Sequence, residues 1–313
     1  MTGRLANAVR SWSNENFSRG NWRLVLFCYI VLAPVLLLFG YVRMVPIFES
    51  FLLSFHKWGL IDPIKPFIGL DNYIELMGDE NFWLALKNTT IYAFSVVTLS
   101  TLLAVPLAVF LARKSKLSAV YQTIYFLPFI TPLVPVSIAW KWIYDYNYGI
   151  LNYLLSLVGI PPVAWLTDPD IALWALIAMG VWKGLGYNMI LLLVGIRNIS
   201  STYLEAAAID GANGWQRFRY VTLPLLKPIL LYVIVTSSIF AFNVFTQIYV
   251  MTLGSQSAPG QAVRVLVFDI YQNAFTYFRF GYASAEAVSL TLIVLGLTLI
   301  QFRFGRNKEG QDG

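Results

Sequence analysis

The sequence predicts an all-α integral membrane protein of six transmembrane helices with both termini in the cytoplasm. Three observations carry this. Of 313 residues, 58% are hydrophobic and 12% charged, about half the roughly 25% charged fraction of a soluble domain, and the mean hydropathy is +0.65. Runs with almost no charge, long enough for the roughly 20 residues that cross a hydrocarbon core, recur six times. The basic residues between the runs gather on one side.

In chain order, Leu24–Val42 lies uncharged between Arg23 and Arg43, Asn88–Ala112 between Lys87 and Arg113, and Leu117–Trp140 between Lys116 and Lys141. The fourth run, Ile171–Ile196, is broken only by Lys183; the fifth extends from about Pro228 to about Met251; the sixth, about Phe280–Phe302, holds one acid, Glu286. Backbone groups in lipid cannot turn to water, so these runs are helices and not open strands. Pro34, Pro106, Pro128, Pro132 and Pro135 fall within spans and are expected to kink them. Four arginines and a polar stretch of 23 residues precede the first run, which lacks a small-residue cleavage site; it is expected to be retained as helix one.

Orientation follows from charge. Arg4, Arg10, Arg19 and Arg23, then Arg113, Lys114 and Lys116, then Arg197, Arg217, Arg219 and Lys227, then Arg303, Arg306 and Lys308 alternate with the spans; they are fourteen of the 22 lysines and arginines. The positive-inside rule places these segments in the cytoplasm. Residues 1–23 are then a cytoplasmic tail, 24–303 a six-helix domain with a cytoplasmic loop at 197–227, and 304–313 a second tail. A net charge of +6 arranged this way is a membrane-orientation signal and gives no reason to expect nucleic acid. One cysteine, Cys28, and one histidine, His56, leave no disulfide framework, thiolate cluster or His-based catalytic set.

The cytoplasmic loop reads as two short helices around a glycine turn. Thr202 and Glu205 have capping-box spacing, which predicts a helix from about Tyr203. Ala206, Ala207 and Ala208 propagate it, and Asp210-Gly211 stops it through a left-handed glycine cap. Asn213 and Gln216 repeat the capping spacing for a second helix, which Leu223-Pro224 is expected to end.

The loop also resembles the EAA motif of ABC-importer permeases at Glu205, Ala206, Ala207, Asp210, Gly211, Ala212, Phe218, Val221, Leu223, Pro224 and Pro228. Gly69–Tyr73, Phe126–Pro128, Trp140–Trp142, Tyr148–Asn152, Trp182–Met189 and Phe280–Ala285 are similar to stretches of the carbohydrate-uptake permeases of the glycerol-phosphate and maltose type, and most to the first permease of such pairs. The resemblance implies a type I ABC importer transmembrane domain in the bacterial cytoplasmic (inner) membrane. It implies a second permease as heterodimer partner, two ATP-binding subunits and an extracytoplasmic solute-binding protein. ATP and magnesium would sit on those partners, and the chain carries no phosphate-binding loop of its own. This chain would be no enzyme itself, and Glu205 would touch an ATPase subunit. A non-sugar solute and, more remotely, a secondary transporter are the alternatives.

Polar groups inside spans mark the expected solute path: Lys183, Tyr187 and Asn188 in span four, Asn243 and Gln247 on one stripe of span five, and Glu286 in span six. Two roles fit them, solute contact or hydrogen bonding between helices, with Asn188 and Gln247 the first choices for the path. For Lys183 the alternatives to a place in the path are neutralisation by an acid such as Glu286 or one on the partner, or facing a phosphate or a polar head group. Trp140, Trp142, Tyr144, Tyr146 and Tyr148 read as an interfacial aromatic belt.

Overall fold

The computed structural model describes residues 22–59, 64–113, 117–252 and 260–306. Residues 1–21 and 307–313 of the expected tails, and Lys114 and Lys116, lie outside the described residues. Among the described residues the regular structure is helical, with two isolated bridges, His56 to Phe67 and Gly59 to Arg279. The chain divides into two units at Leu53/Ser54.

In the first unit, α1 (Trp22–Phe39) runs through a π-turn (Gly40–Met44) into α2 (Val45–Leu53), giving an apolar span Val25–Leu53. The helix therefore passes Arg43, where the uncharged run was expected to stop. The π-turn stands immediately before Val45-Pro46, and the Val45 N–H reaches back five residues to the Gly40 carbonyl. Proline offers no N–H to the carbonyl four residues back and its ring presses on it; the wider turn makes room.

The second unit holds α3 (Asp71–Gly78), α4 (Glu80–Ala112), α5 (Ser118–Ile130), α6 (Leu133–Ile143), α7 (Ile150–Leu157), α8 (Ala172–Arg197), α9 (Ser201–Ile209), α10 (Gly214–Arg217), α11 (Leu223–Phe242), α12 (Thr246–Thr252), α13 (Leu266–Phe275) and α14 (Phe280–Arg306). Among the described residues five helices are long and apolar enough to cross a membrane; the α5–α6 pair, bent by 98°, gives a sixth when counted as one broken span. Helix α4 starts eight residues before the expected run because Asp79 caps it, accepting from the Asn81 N–H at 2.8 Å. Burial opposes ionisation of Asp79. Hydrogen bonds from the Tyr282 hydroxyl and Asn81, with the nearby Arg264 charge, outweigh that and hold the carboxyl below its ordinary value.

Two expected continuous spans are interrupted. The third breaks at Thr131-Pro132, and the fifth ends at Phe242 and resumes at Thr246. Prolines at 128, 132 and 135 remove successive amide donors from the third, which no longer propagates as one helix. Pro106, by contrast, sits inside an unbroken α4.

Helices α4 and α8 form the centre. Small residues of α8 let its neighbours come close: a Cβ at Gly180 would run into the Tyr92 hydroxyl of α4, and one at Gly195 into Leu226 and Ile229 of α11, the means by which helices approach closely where lipid supplies no hydrophobic drive. Gly186 does the same for α5 against α8: a Cβ there would run into the Tyr125 carbonyl.

Side chains pin the segments between spans. Asn88 donates to the Gln261 and Arg264 carbonyls at 3.1 and 3.0 Å, and Thr89 accepts from the Leu266 N–H at 2.9 Å. The Asn152 carboxamide holds the turn after α6, donating to Tyr146 and Val163 carbonyls and accepting from the Val163 N–H and Trp165 indole. Asn72 donates to Ser54 and His56 carbonyls. The aromatic belt divides: Trp142, Tyr146 and Tyr148 are exposed, whereas Tyr144 is buried with its hydroxyl on the Ala175 carbonyl at 2.8 Å. That last residue is core, because α8 packs over it.

Gly186→Ala is expected to destabilise the purified protein by about 1–3 kcal/mol through overpacking. Gly184→Ala, two residues away with nothing within 4 Å of its Cβ position, should be neutral or stabilising by up to about 1 kcal/mol through helix propensity. Thermal unfolding of both variants in detergent checks the opposite signs.

Candidate functional site

Two regions bring the expected site residues together. The first is the cytoplasmic loop. Ser200, in extended conformation, caps α9 by accepting from the Thr202 N–H at 3.4 Å. The helix thus starts at Ser201, and the box expected from Thr202 and Glu205 is not its cap; Ser200 already holds the extended backbone an N-cap requires. Glu205 and Ala206 are exposed on α9, and Ala207 is half-buried.

Asp210 is the C-cap, and Gly211 follows with φ +79°. The Gly211 N–H bonds the Ala208 carbonyl at 3.1 Å and the Ala212 N–H the Ala207 carbonyl at 2.9 Å, the Schellman pairing that a left-handed residue closes. Asn213 and Gln216 then form the reciprocal capping box, at 2.9 and 2.8 Å. Phe218 is half-buried with its ring 5.6 Å from that of Trp215.

Leu223-Pro224 does not end the second arm. A π-turn (Phe218–Thr222) carries α10 directly into α11, with the Leu223 N–H on the Phe218 carbonyl and Pro224 in the first turn of α11. Gly214–Phe242 is one helical span of 29 residues. Ile209, Trp215 and Tyr220 are 87%, 70% and 73% exposed, so the loop presents an apolar face between its charges.

The second region is a cavity of about 330 Å³ between α4, α8, α11 and the two helix breaks. Five of the six expected path residues line it: Lys183, Tyr187, Asn188, Asn243 and Gln247. Asn188 is 2% exposed. It donates to the Ser100 hydroxyl at 3.0 Å and accepts from the Ser237 hydroxyl at 3.1 Å, bridging α4 and α11. Gln247 donates to the Tyr92 hydroxyl at 2.7 Å. Asn243 donates to the Ile239 carbonyl of its own helix at 2.7 Å. It and Gln247 are parted by the break between α11 and α12, so they share the cavity and not a helix stripe. Thr236, on α11, donates to the Tyr232 carbonyl at 2.8 Å.

The Lys183 ammonium lies on the Pro128 and Thr131 carbonyls at 2.7 and 2.9 Å, with Phe129 at 3.4 Å. Its hydrogen bonds are thus to backbone oxygens and not to Glu286. Glu286 is not among the lining residues. It is fully buried in α14, accepting from the Asn273 carboxamide at 3.0 Å, because α13 packs there with its polar face inward.

Tyr92, Ser100, Phe129, Ser237, Phe240, Phe245 and Thr246 also line the cavity and were not anticipated. The Phe129 and Tyr187 rings stack at 4.6 Å and 19°. Among the described residues the lining holds one cation and no acid, several aromatic faces, and uncharged groups able to donate and accept hydrogen bonds. Such a surface suits a polyhydroxylated solute better than an ion or an apolar one.

Residues 104–309 match the family described as binding-protein-dependent transport system inner membrane component. The chain is 39% identical over 306 residues to "Probable ABC transporter permease protein YesP" of Bacillus subtilis, covering 97% of this chain and 96% of that one. It is 32% identical over 293 residues to the trehalose/maltose transport system permease protein MalF of Thermococcus litoralis, covering 94% and 98%. It is 34% identical over 309 residues to the lactose transport system permease protein LacF of Rhizobium radiobacter, covering 97% and 100%. In fold it resembles a chain of a bacterial alginate ABC transporter crystallised with an alginate pentasaccharide-bound periplasmic protein, with a TM-score of 0.78 at 22% identity over 93% of this chain and 98% of that one.

The Tyr92–Gln247 pair predicts a non-additive pattern. Gln247→Leu alone leaves a buried hydroxyl without its partner and should cost about 1–3 kcal/mol, whereas adding Tyr92→Phe should recover most of it. Thermal unfolding of the two singles and the double variant reads the coupling.

Proposed function

The chain belongs to the family of binding-protein-dependent transport system inner membrane components, and from that premise we propose that it passes a sugar or sugar-like solute through the cavity between α4, α8 and α11. It is a multi-pass inner membrane permease subunit and not itself the catalyst of ATP hydrolysis. The solute class proposed is disaccharide, polyol or glycerol phosphate. The observation that carries it is the cavity lining, where aromatic faces and uncharged hydrogen-bonding groups meet at two broken helices. Irregular backbone at membrane depth belongs beside a cavity or inside protein. Relatives named for trehalose/maltose and lactose transport support the same class.

In this reading a solute-binding protein delivers the sugar on the side opposite the cytoplasmic loop. A second permease completes the path, and two ATP-binding subunits, which hold ATP and magnesium, dock on Glu205–Ala212 and its flank. Their closure displaces α9 and α10. Helix continuity from Gly214 to Phe242 carries that displacement to the wall of the cavity, where alternating access follows from movement of α11 and the broken span.

ATPase activity of the reconstituted complex, measured across a panel of sugars, polyols and glycerol phosphates with the binding protein present, tests this. Stimulation by one compound is the expected result; a complex stimulated only by amino acids or other solutes would overturn the sugar class. Gly211→Val should leave insertion and assembly intact and lower solute-stimulated ATPase by about tenfold or more, since a β-branched residue at φ +79° adds at least about 1–2 kcal/mol of strain to the docking turn. Normal stimulation in that variant would remove the loop from the coupling path.

A further inference from the structure

We propose that Lys183 is a positioning residue of the solute path: it replaces the backbone donors that Pro132 and Pro135 lack, and so holds the α5–α6 break and Phe129 in place against Tyr187. This rests on the cavity being the path. The register of the prolines carries it. In an unbroken helix the Pro128 carbonyl would accept from the N–H of residue 132 and the Thr131 carbonyl from that of residue 135. Both positions are proline, which has no N–H. The two carbonyls left over are the two that Lys183 meets most closely, at 2.7 and 2.9 Å.

The third donor of the ammonium points toward the Phe129 carbonyl at 3.4 Å. An ammonium has three donors, and all three face one break. A solute hydroxyl or carboxylate would have to displace a backbone carbonyl to reach them. The Thr131 hydroxyl, which also donates to the Pro128 carbonyl at 2.7 Å, cannot serve the Thr131 carbonyl at the same time, so that oxygen depends on Lys183. Gly186, one turn below, lets α5 lie close enough to α8 for the reach. The consequence at the wall is the stacked Phe129–Tyr187 pair, whose ring on the α5 side sits between the two clamped carbonyls in sequence.

The test uses the full complex in nanodiscs, in a Cys28→Ala background that removes the single native cysteine. Gly184→Cys, on the cavity wall with open space at its Cβ position, is labelled by a water-soluble maleimide, which needs no solute. Lys183→Met should speed labelling by about tenfold or more, the factor carried by loss of a charge-assisted hydrogen bond. Lys183→Arg and the uncharged donor Lys183→Gln should stay near the parent rate. The maximal sugar-stimulated ATPase of Lys183→Met should fall while the concentration of loaded binding protein at half-stimulation stays unchanged.

An unchanged labelling rate in Lys183→Met would overturn the proposal. So would Lys183→Gln labelling as fast as Lys183→Met while Lys183→Arg restores the parent rate, because charge and not donors would then matter. If Lys183→Met does not insert, the comparison of Gln with Arg decides by the same criterion. Faster labelling in a complex that no sugar, polyol or glycerol phosphate stimulates would instead overturn the sugar class and leave the clamp standing.

Discussion

Every backbone amide and carbonyl at membrane depth needs a partner from the protein itself, and this requirement shapes each irregular feature of the chain. At the α11 terminus the Asn243 N–H turns to the Ala241 carbonyl, and the Asn243 side chain supplies the Ile239 carbonyl instead. At the α5 terminus prolines delete donors and Lys183 supplies them from α8. In both places a side chain takes over a backbone amide's task. Both places border the same cavity, where the chain can leave helical geometry without facing lipid.

The same constraint explains the two π-turns. Each stands directly before an X-Pro pair, Val45-Pro46 and Leu223-Pro224, with the residue before proline donating five residues back. Widening the turn keeps the helix continuous past a residue that would otherwise break it. For the second of these the outcome is mechanical. The arm α10 and the cavity-lining α11 are one helical body, and under the proposed function a push on the loop would meet no hinge between them. The Schellman turn at Gly211 and the capping box at Asn213 satisfy the backbone at the other end of that arm.

Most spans were legible because hydropathy reports what must avoid water, and α8 and α14 begin within a residue of where charge placed them. The second short helix and its capping box were legible because Asn213 and Gln216 interact locally. What escaped depends on contacts distant in sequence. Three prolines marked span three as bent. Its 98° turn follows from Gly186 and Lys183, which lie more than 50 residues away and fix where the broken end comes to rest. Leu223-Pro224 reads as a stop because proline disfavours a continuing helix, and nothing in the dipeptide itself says whether a π-turn will carry the chain past it. Polarity inside spans found Lys183, Tyr187, Asn188, Asn243 and Gln247 at the cavity, but could not separate them from Glu286, whose partner on α13 is set by tertiary packing alone. Phe129 and Phe245 were invisible for the opposite reason: in an apolar run, a ring on a cavity wall reads like any other.

Several stretches that carry resemblance to sugar permeases serve architecture. Asn72, within Gly69–Tyr73, ties α3 to the Ser54 and His56 carbonyls. Asn152, within Tyr148–Asn152, closes the turn after α6. Gly281, within Phe280–Ala285, lies where a Cβ would strike the His56 carbonyl. These residues are required by buried backbone that must be bonded or closely approached, whatever solute passes. Similarity in them therefore argues for a shared scaffold, and discrimination among solutes has to come from side chains with room to vary. In the cavity Asn188 is already committed on both sides of its carboxamide and Lys183 to the break. The remaining freedom lies with the Phe129, Tyr187, Phe240 and Phe245 rings and with Thr246, so under the proposed function solute choice falls to the aromatic frame around the two breaks.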